Sequence, residues 1–143
     1  MRATLTIGSA IAAWLVATPL AFASANIDCV IDDKNVKFVL EAIAGRTGPI
    51  NQVNGGTLQV KPGKGPEVPV SMEHIAQQWI IDDDLRLQIK IEPDDPNGNS
   101  YDLRILARYD KKRDKYFGSY VLTMFGSGTE REFKGTIKSC LAG

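Results

Sequence analysis

The sequence predicts an all-β protein, an antiparallel sandwich or small barrel of about eight strands with one short helix. Apolar and polar residues alternate with a period of two in several segments, most strictly in LRLQIKI at 85–91. Gly, Pro, Asn and Asp cluster between these segments, about every 8–12 residues. The connections after residue 85 are short, which favours an antiparallel meander in a single domain.

The first half of the chain supplies three strand candidates. IDCVID at 27–32 is short, and NVKFVLEAIA at 35–44 alternates between apolar and polar positions. TLQVK at 57–61 is a third, brief strand. The segments between and after them, 45–56 and 62–69, are rich in glycine and proline and are expected to be loops.

The next segment, 71–79, is the one helix candidate. Ser71 is a residue type that caps helices. Apolar residues then recur at helical spacing, namely Met72, Ile75, Ala76 and Trp79. A helix this short needs a sheet to pack on.

Four further strand candidates fill the second half, at 85–91, 101–109, 116–125 and 132–140. Between them lie EPDDPNGNS at 92–100, DKKRDK at 110–115 and GSGTER at 126–131, all typical of turns. The segment 116–125 is apolar on both faces, which is typical of a central strand.

The N-terminal segment has the layout of a secretory signal peptide. It carries one charge, Arg2, then an apolar run over 5–16, then the small residues Ala23-Ser24-Ala25. We therefore expect a signal peptide over 1–25 and a single β-domain over 26–143, exported to the periplasm or the extracellular space. After cleavage no membrane span is expected. An uncleaved membrane anchor is the alternative.

The chain has two cysteines, Cys29 and Cys140, close to the two ends of the predicted domain. In an exported protein an even number of cysteines predicts a disulfide. A pair of free thiols is the alternative. No C-x-x-C motif is present to favour redox chemistry.

The last strand leaves the orientation of that disulfide open. Phe133, Gly135 and Ile137 share one face of an alternating strand with Ser139, whereas Cys140 falls on the other. The disulfide therefore either lies on the outer face or is turned inward by a bulge near Ser139.

Composition argues against several classes of function. The chain has 17 basic and 17 acidic residues, so no global field attracts it to nucleic acid. It has a single histidine, His74, and no G-x-S-x-G nucleophile segment. We expect no enzyme activity, no cofactor and no metal site.

The candidate binding patch surrounds the basic turn at 110–115. Clustered Lys and Arg with flanking tyrosines can bind an anionic glycan, an envelope component or an acidic protein. The alternative is a solvated hairpin tip whose lysines prevent edge pairing. The members of the patch are Arg104, Arg108, Tyr109, Lys111, Lys112, Arg113, Lys115 and Tyr116.

Two alternative functions remain. Met72, Ile75 and Trp79 could form a lid over a barrel cavity, as in a carrier of small ligands. The loop 62–69 could be the reactive segment of a protease inhibitor. The leading hypothesis is a non-enzymatic, disulfide-bonded binding domain of unknown partner and oligomeric state.

Overall fold

The computed structural model describes residues 25–45 and 49–142, and these form an all-β, antiparallel structure. The predicted signal peptide lies outside the described residues, apart from Ala25. The strands are β1 (Ala25–Asp32), β2 (Val36–Ala44), β3 (Ile50–Val60), β4 (Glu67–Pro69), β5 (Ile75–Ile81), β6 (Asp84–Ile91), β7 (Ser100–Asp110), β8 (Lys115–Gly126), β9 (Thr129–Thr136) and β10 (Ser139–Ala142).

All ten strands belong to one sheet that curls into a half-barrel. Nine of them follow the order β4-β3-β2-β1-β10-β8-β7-β6-β5, and β9 pairs with β8 off this path. The short strand β10 joins two half-sheets, β1–β4 and β5–β8. It pairs with β1 over four residues and meets β8 only where Cys140 lies opposite Tyr116.

The predicted helix over 71–79 is wrong. Only Met72–His74 forms a single 3-10 turn, and the chain continues directly as strand β5 beside β6. Met72, Ile75 and Trp79 have helical spacing, but Ile75, Ile80 and Ile81 are β-branched and favour a strand. Backbone pairing with β6 outweighs the weak preference of so short a helix.

The predicted loop over 45–56 is also wrong in its second part, because β3 already begins at Ile50. Gly55 and Gly56 lie within this strand and pair with β2. A Cβ on Gly56 would come within 2.9 Å of the Val70 side chain. Glycine here therefore allows the chain after β4 to pack closely against β3, and marks a close approach rather than a turn.

The inner faces of the two half-sheets form one hydrophobic core. The alternation predicted for β2 is confirmed, with Val36, Phe38 and Leu40 fully buried. The same alternation buries Leu87 and Ile89 on β6 and the apolar residues opposite them on β7. Burial of this apolar surface is the main term that stabilises the sheet.

The disulfide Cys29–Cys140 is present and faces the core, with both cysteines fully buried. The two residues lie directly opposite each other on β1 and β10. The single strand predicted over 132–140 is wrong: β9 ends at Thr136 and pairs with β8, whereas β10 begins at Ser139 and pairs with β1. This break shifts the alternation, so both Ile137 and Cys140 point inward. The cysteine therefore faces the core because the chain changes strands, and not because of the bulge expected near Ser139.

A partly buried hydrogen bond links the two half-sheets near this joint. The Tyr120 hydroxyl, on β8, donates to Asp33 Oδ2 at 2.6 Å. Asp33 Oδ1 accepts from the amides of Asn35 and Val36, which closes the β1–β2 turn. A Cβ on Gly135 would lie 2.3 Å from the Asp33 carboxylate, so only glycine leaves room for this contact.

One side chain also connects β5 to β3 on the other half-sheet. The amide of Gln78 on β5 bonds to the backbone of Ile50 on β3: its Nε2 donates to the Ile50 carbonyl at 3.1 Å, and its Oε1 accepts from the Ile50 amide. A side chain thus satisfies the backbone groups that a neighbouring strand would otherwise pair.

Among the residues described, no helix is long and apolar enough to cross a bilayer.

Candidate functional site

The site lies on the outer face of strands β5–β8, which is the face turned away from the core. Trp79 on β5 lies opposite Arg86 on β6, and Arg86 lies opposite Leu106 on β7. In the adjacent row, Arg108 on β7 lies opposite Phe117 on β8. We call the surface formed by Trp79, Arg86, Leu106, Arg108 and Phe117 the trough.

Large apolar side chains are exposed in and beside the trough. Trp79 is 51% exposed, Leu106 54% and Ile81, which neighbours Trp79 on the same face, 64%. Single exposed apolar residues are common, but neighbouring ones on one sheet face are typical of a binding surface. Their exposure is unfavourable unless another molecule covers them.

The trough contains neighbouring open depressions. One section of about 650 Å³ lies between Trp79, Ile81 and Arg108. The next, of about 330 Å³, lies between Arg86, Leu106 and Phe117 and shares Asp84, Arg86 and Arg108 with the first. A third section shares Arg108 and Phe117 and lies beside the basic turn. Together these sections extend over four strands and reach the β7–β8 hairpin.

Arg104 and Arg108 each form an ion pair on the outer face of the sheet. Arg108 Nε donates to Asp84 Oδ1 at 2.9 Å, and Arg104 Nη2 donates to Asp102 Oδ2 at 2.9 Å. The hydrogen bond from Arg108 lowers the pKa of Asp84. Partial burial alone would raise the pKa of Asp102, but the hydrogen bonds from Arg104 and Gln88 outweigh it and leave that pKa lowered. Both carboxylates thus stay ionised at neutral pH.

Arg86 differs from these arginines. Within the described part of the chain it makes no ion pair, and its guanidinium lies 5.9 Å from the centre of the Trp79 ring. This separation lies at the outer limit of a cation–π contact. Arg86 therefore offers hydrogen-bond donors at the surface beside an exposed aromatic ring.

The basic turn is less strongly charged than its sequence indicates. Lys111 lies 3.7 Å from Asp83 and Arg113 lies 3.8 Å from Asp110. The Arg113 guanidinium also covers the Phe117 ring at 4.9 Å. These pairs are exposed and weak, so the cations can exchange partners.

The structure divides the predicted patch between two faces of the sheet. Arg104 and Arg108 point outward, whereas Tyr109 and Tyr116 lie on the inner face, where their rings pack 5.3 Å apart. Tyr116 is almost fully buried, and this burial raises its pKa. The Tyr109 hydroxyl donates to Asp114 within the turn. The remaining members, Lys111, Lys112, Arg113 and Lys115, lie in or beside the turn.

The predicted lid residues do not share one face. Ile75 packs against the core, whereas Trp79 points outward from the same strand. Met72 lies in the 3-10 turn and is 39% exposed. Part of the proposed reactive loop, Glu67–Pro69, pairs with β3 as strand β4.

His74 has a local structural role. Its Nδ1 accepts from the Ser71 amide at 3.0 Å, which closes the 3-10 turn. Across residues 25–45 and 49–142, no group of three or more His, Cys, Asp or Glu is arranged to hold a metal ion.

Sequence reasoning did not identify Arg86, Leu106 and Phe117 as parts of the site. A signal existed for Leu106, because it interrupts the polar outward positions of β7 between Arg104 and Arg108. Recognition of Trp79 as an outward residue required knowing that 75–81 is a strand. No sequence signal brings β5 beside Arg86 once that segment is assigned to a helix.

Comparison of this chain with protein-family profiles finds no match. Comparison with curated protein sequences and with solved structures likewise finds no match. The site is therefore interpreted from its own geometry.

Proposed function

We propose that this chain is an exported, disulfide-bonded β-domain that binds a macromolecule of the cell envelope through the trough and the basic turn beside it. The observation that carries the proposal is the exposure of Trp79 and Ile81 on β5, and of Leu106 two strands away on β7, on the same outer face of the sheet. A small domain that only needed to be soluble would gain by placing polar residues at these positions.

Two further features support binding rather than catalysis. The trough combines aromatic and arginine side chains, which are enriched in binding surfaces. Strands β6, β7 and β8, which carry every trough residue except Trp79, are paired on both sides, so most of the surface is ordered before a ligand arrives. The export signal in the sequence and the buried disulfide support a location in an oxidising compartment.

The first prediction concerns the basic turn. Reversing Lys111, Lys112 and Arg113 to Glu removes hydrogen-bond donors that line the depression beside Phe117, and we expect envelope binding to weaken at least about tenfold. The measurement is co-sedimentation of the exported protein with the cell-envelope fraction of its source organism. The midpoint of thermal unfolding should change little, because all three side chains are exposed.

A matched control reverses three exposed lysines on the other half-sheet, Lys34, Lys37 and Lys64. It changes the net charge by the same amount, and we expect it to bind as the unmodified protein does. Equal loss of co-sedimentation in both triple variants would show that binding depends on net charge and not on the basic turn. Unchanged co-sedimentation in the turn variant, together with unchanged co-sedimentation in Trp79→Ser/Leu106→Ser, would overturn the proposed function.

A further inference from the structure

We infer that the trough binds a neutral oligosaccharide chain. This inference rests on the proposed function and specifies the chemistry of its ligand. It is carried by the shape of the trough, by the exposed aromatic ring at one end and by the ion-paired polar groups along its floor.

The shape indicates an extended ligand. The trough runs from Trp79 on β5 to Phe117 on β8, across three intervals between adjacent strands. With strands about 4.8 Å apart, this is on the order of 15 Å. The sections are shallow and open to solvent, so a chain lying across the strands contacts them all, whereas one small molecule would fill only a part.

The aromatic groups suit sugar rings. A pyranose presents a face of C–H groups that packs on an aromatic face, while its hydroxyls stay at the rim. Half of the Trp79 surface is exposed, and Arg86 lies against its ring at 5.9 Å. At the far end, Arg113 at 4.9 Å and Lys115 at 5.2 Å cover the half-buried Phe117 ring, so this end offers hydrogen-bond donors to the hydroxyls. The Trp79 end thus supplies the aromatic surface and the Phe117 end supplies donors.

The polar groups also suit hydroxyls. A hydroxyl both donates and accepts, so it is best matched by a carboxylate and a guanidinium side by side. Arg108 and Asp84 provide this pair in the trough, and both remain substantially exposed. A sugar can bond to both groups without separating them, so the ion pair that orders the site in the free protein persists in the complex.

The charges favour a neutral chain over an anionic one. Asp82, Asp83 and Asp84 lie together at the Trp79 end of the trough. Arg108 and Lys111 are already paired with carboxylates of this group. An acidic polymer or acidic peptide would be repelled by this group of carboxylates, which a neutral chain avoids.

The test uses the fluorescence of Trp79. The chain has two tryptophans, so a full chain with Trp14→Phe retains Trp79 alone, whether or not the leader is removed. The protein is titrated with cellohexaose, maltohexaose, chitohexaose and hexagalacturonate, each to about 10 mM, a range that covers weak millimolar binding. Glucose at the same concentration reports the response to a single ring.

We expect at least one neutral hexasaccharide to shift or quench the emission saturably, with a response larger than that of glucose. In the same background, Arg86→Ala should weaken that binding at least tenfold, and Lys37→Ala, on the other half-sheet, should not change it. No response to any neutral chain would overturn the inference. So would a stronger response to hexagalacturonate that disappears in salt, because the ligand would then be anionic.

These outcomes are separate from those of the proposed function. If no oligosaccharide binds while the turn and trough variants still lose envelope binding, the surface is a binding site for a different macromolecule. If an oligosaccharide binds but the envelope fraction does not, the inferred ligand chemistry is supported and the proposed binding to the cell envelope is contradicted.

Discussion

Tyr120 and Asp33 form a contact between side chains that are 87 positions apart in the chain. Neither residue is conspicuous in the sequence, because an aspartate in a turn and a tyrosine in an apolar strand are both ordinary. Burial and the hydrogen bond to Asp33 raise the pKa of the Tyr120 hydroxyl, so it stays protonated and able to donate at neutral pH. The contact ties the β1–β2 turn to β8.

Replacing Tyr120 with Phe should lower the free energy of unfolding by about 1–2 kcal/mol, because a partly buried carboxylate loses a hydrogen bond. Equilibrium denaturation in urea measures the change. Tyr101→Phe removes a hydroxyl from another inward-facing tyrosine, one that does not contact Asp33, and is the control. Equal destabilisation in both variants would contradict the role given to this hydrogen bond.

The same pair predicts a dependence on pH. Partial burial would raise the pKa of Asp33, but hydrogen bonds from Tyr120, Val36 and Asn35 outweigh it and hold the pKa below its usual 3.8. A group with a lowered folded pKa stabilises the protein above its unfolded pKa, and that stabilisation is lost as the pH falls through the folded pKa. Urea denaturation at pH 7 and at about pH 3 should therefore show less acid destabilisation in Tyr120→Phe than in the unmodified protein.

At the level of elements, the three consecutive strands β6, β7 and β8 could be predicted closely, whereas the segment 132–140, expected as one strand, forms parts of β9 and β10. The segments 85–91 and 101–109 alternate strictly, and the structure has β6 and β7 there with the expected residues inward. The segment at 71–79 could not be predicted correctly, because Met72, Ile75 and Trp79 fit a helical period. Only pairing with β6 selects the strand. The mis-assigned strand is the one that carries Trp79 to the trough.

The joint between the two half-sheets depends on the disulfide. Strand β10 has four residues, and a single register pair connects it to β8. Cys29–Cys140 links two residues that are 111 positions apart across this joint. Its cross-link restricts the unfolded chain and holds β10 in place on β1.

Replacing both cysteines with Ala should lower the free energy of unfolding by about 2–4 kcal/mol, as expected for a disulfide that closes a long loop. Urea denaturation measures the loss. Hydrogen exchange should locate it, because the amides of β10 are expected to lose protection before those of β7. Unchanged stability, or uniform loss of protection over all strands, would contradict the role given to the joint.

At the scale of the whole molecule, the all-β class and the disulfide could be predicted, whereas the shape of the site could not. Arg104, Arg108, Tyr109 and Tyr116 are close together in the sequence. In the structure, alternation along β7 and β8 places the two arginines on the outer face and the two tyrosines on the inner face. The trough forms because the sheet brings β5 and β8 onto one outer face, although Trp79 and Phe117 are far apart in sequence. Such long-range placement follows from strand order, which local patterns do not encode.

The most direct test of the account asks which side chains the partner covers. Hydroxyl-radical footprinting of the full chain, with and without the cell-envelope fraction, reports the solvent access of individual side chains. We predict that oxidation of Trp79, Leu106 and Phe117 falls on binding. Phe125 and Leu141 are also exposed but lie away from the trough, so their oxidation should stay constant. If Phe125 and Leu141 were protected while the oxidation of Trp79 and Leu106 stayed unchanged, the binding surface would lie outside the trough, which would contradict the account.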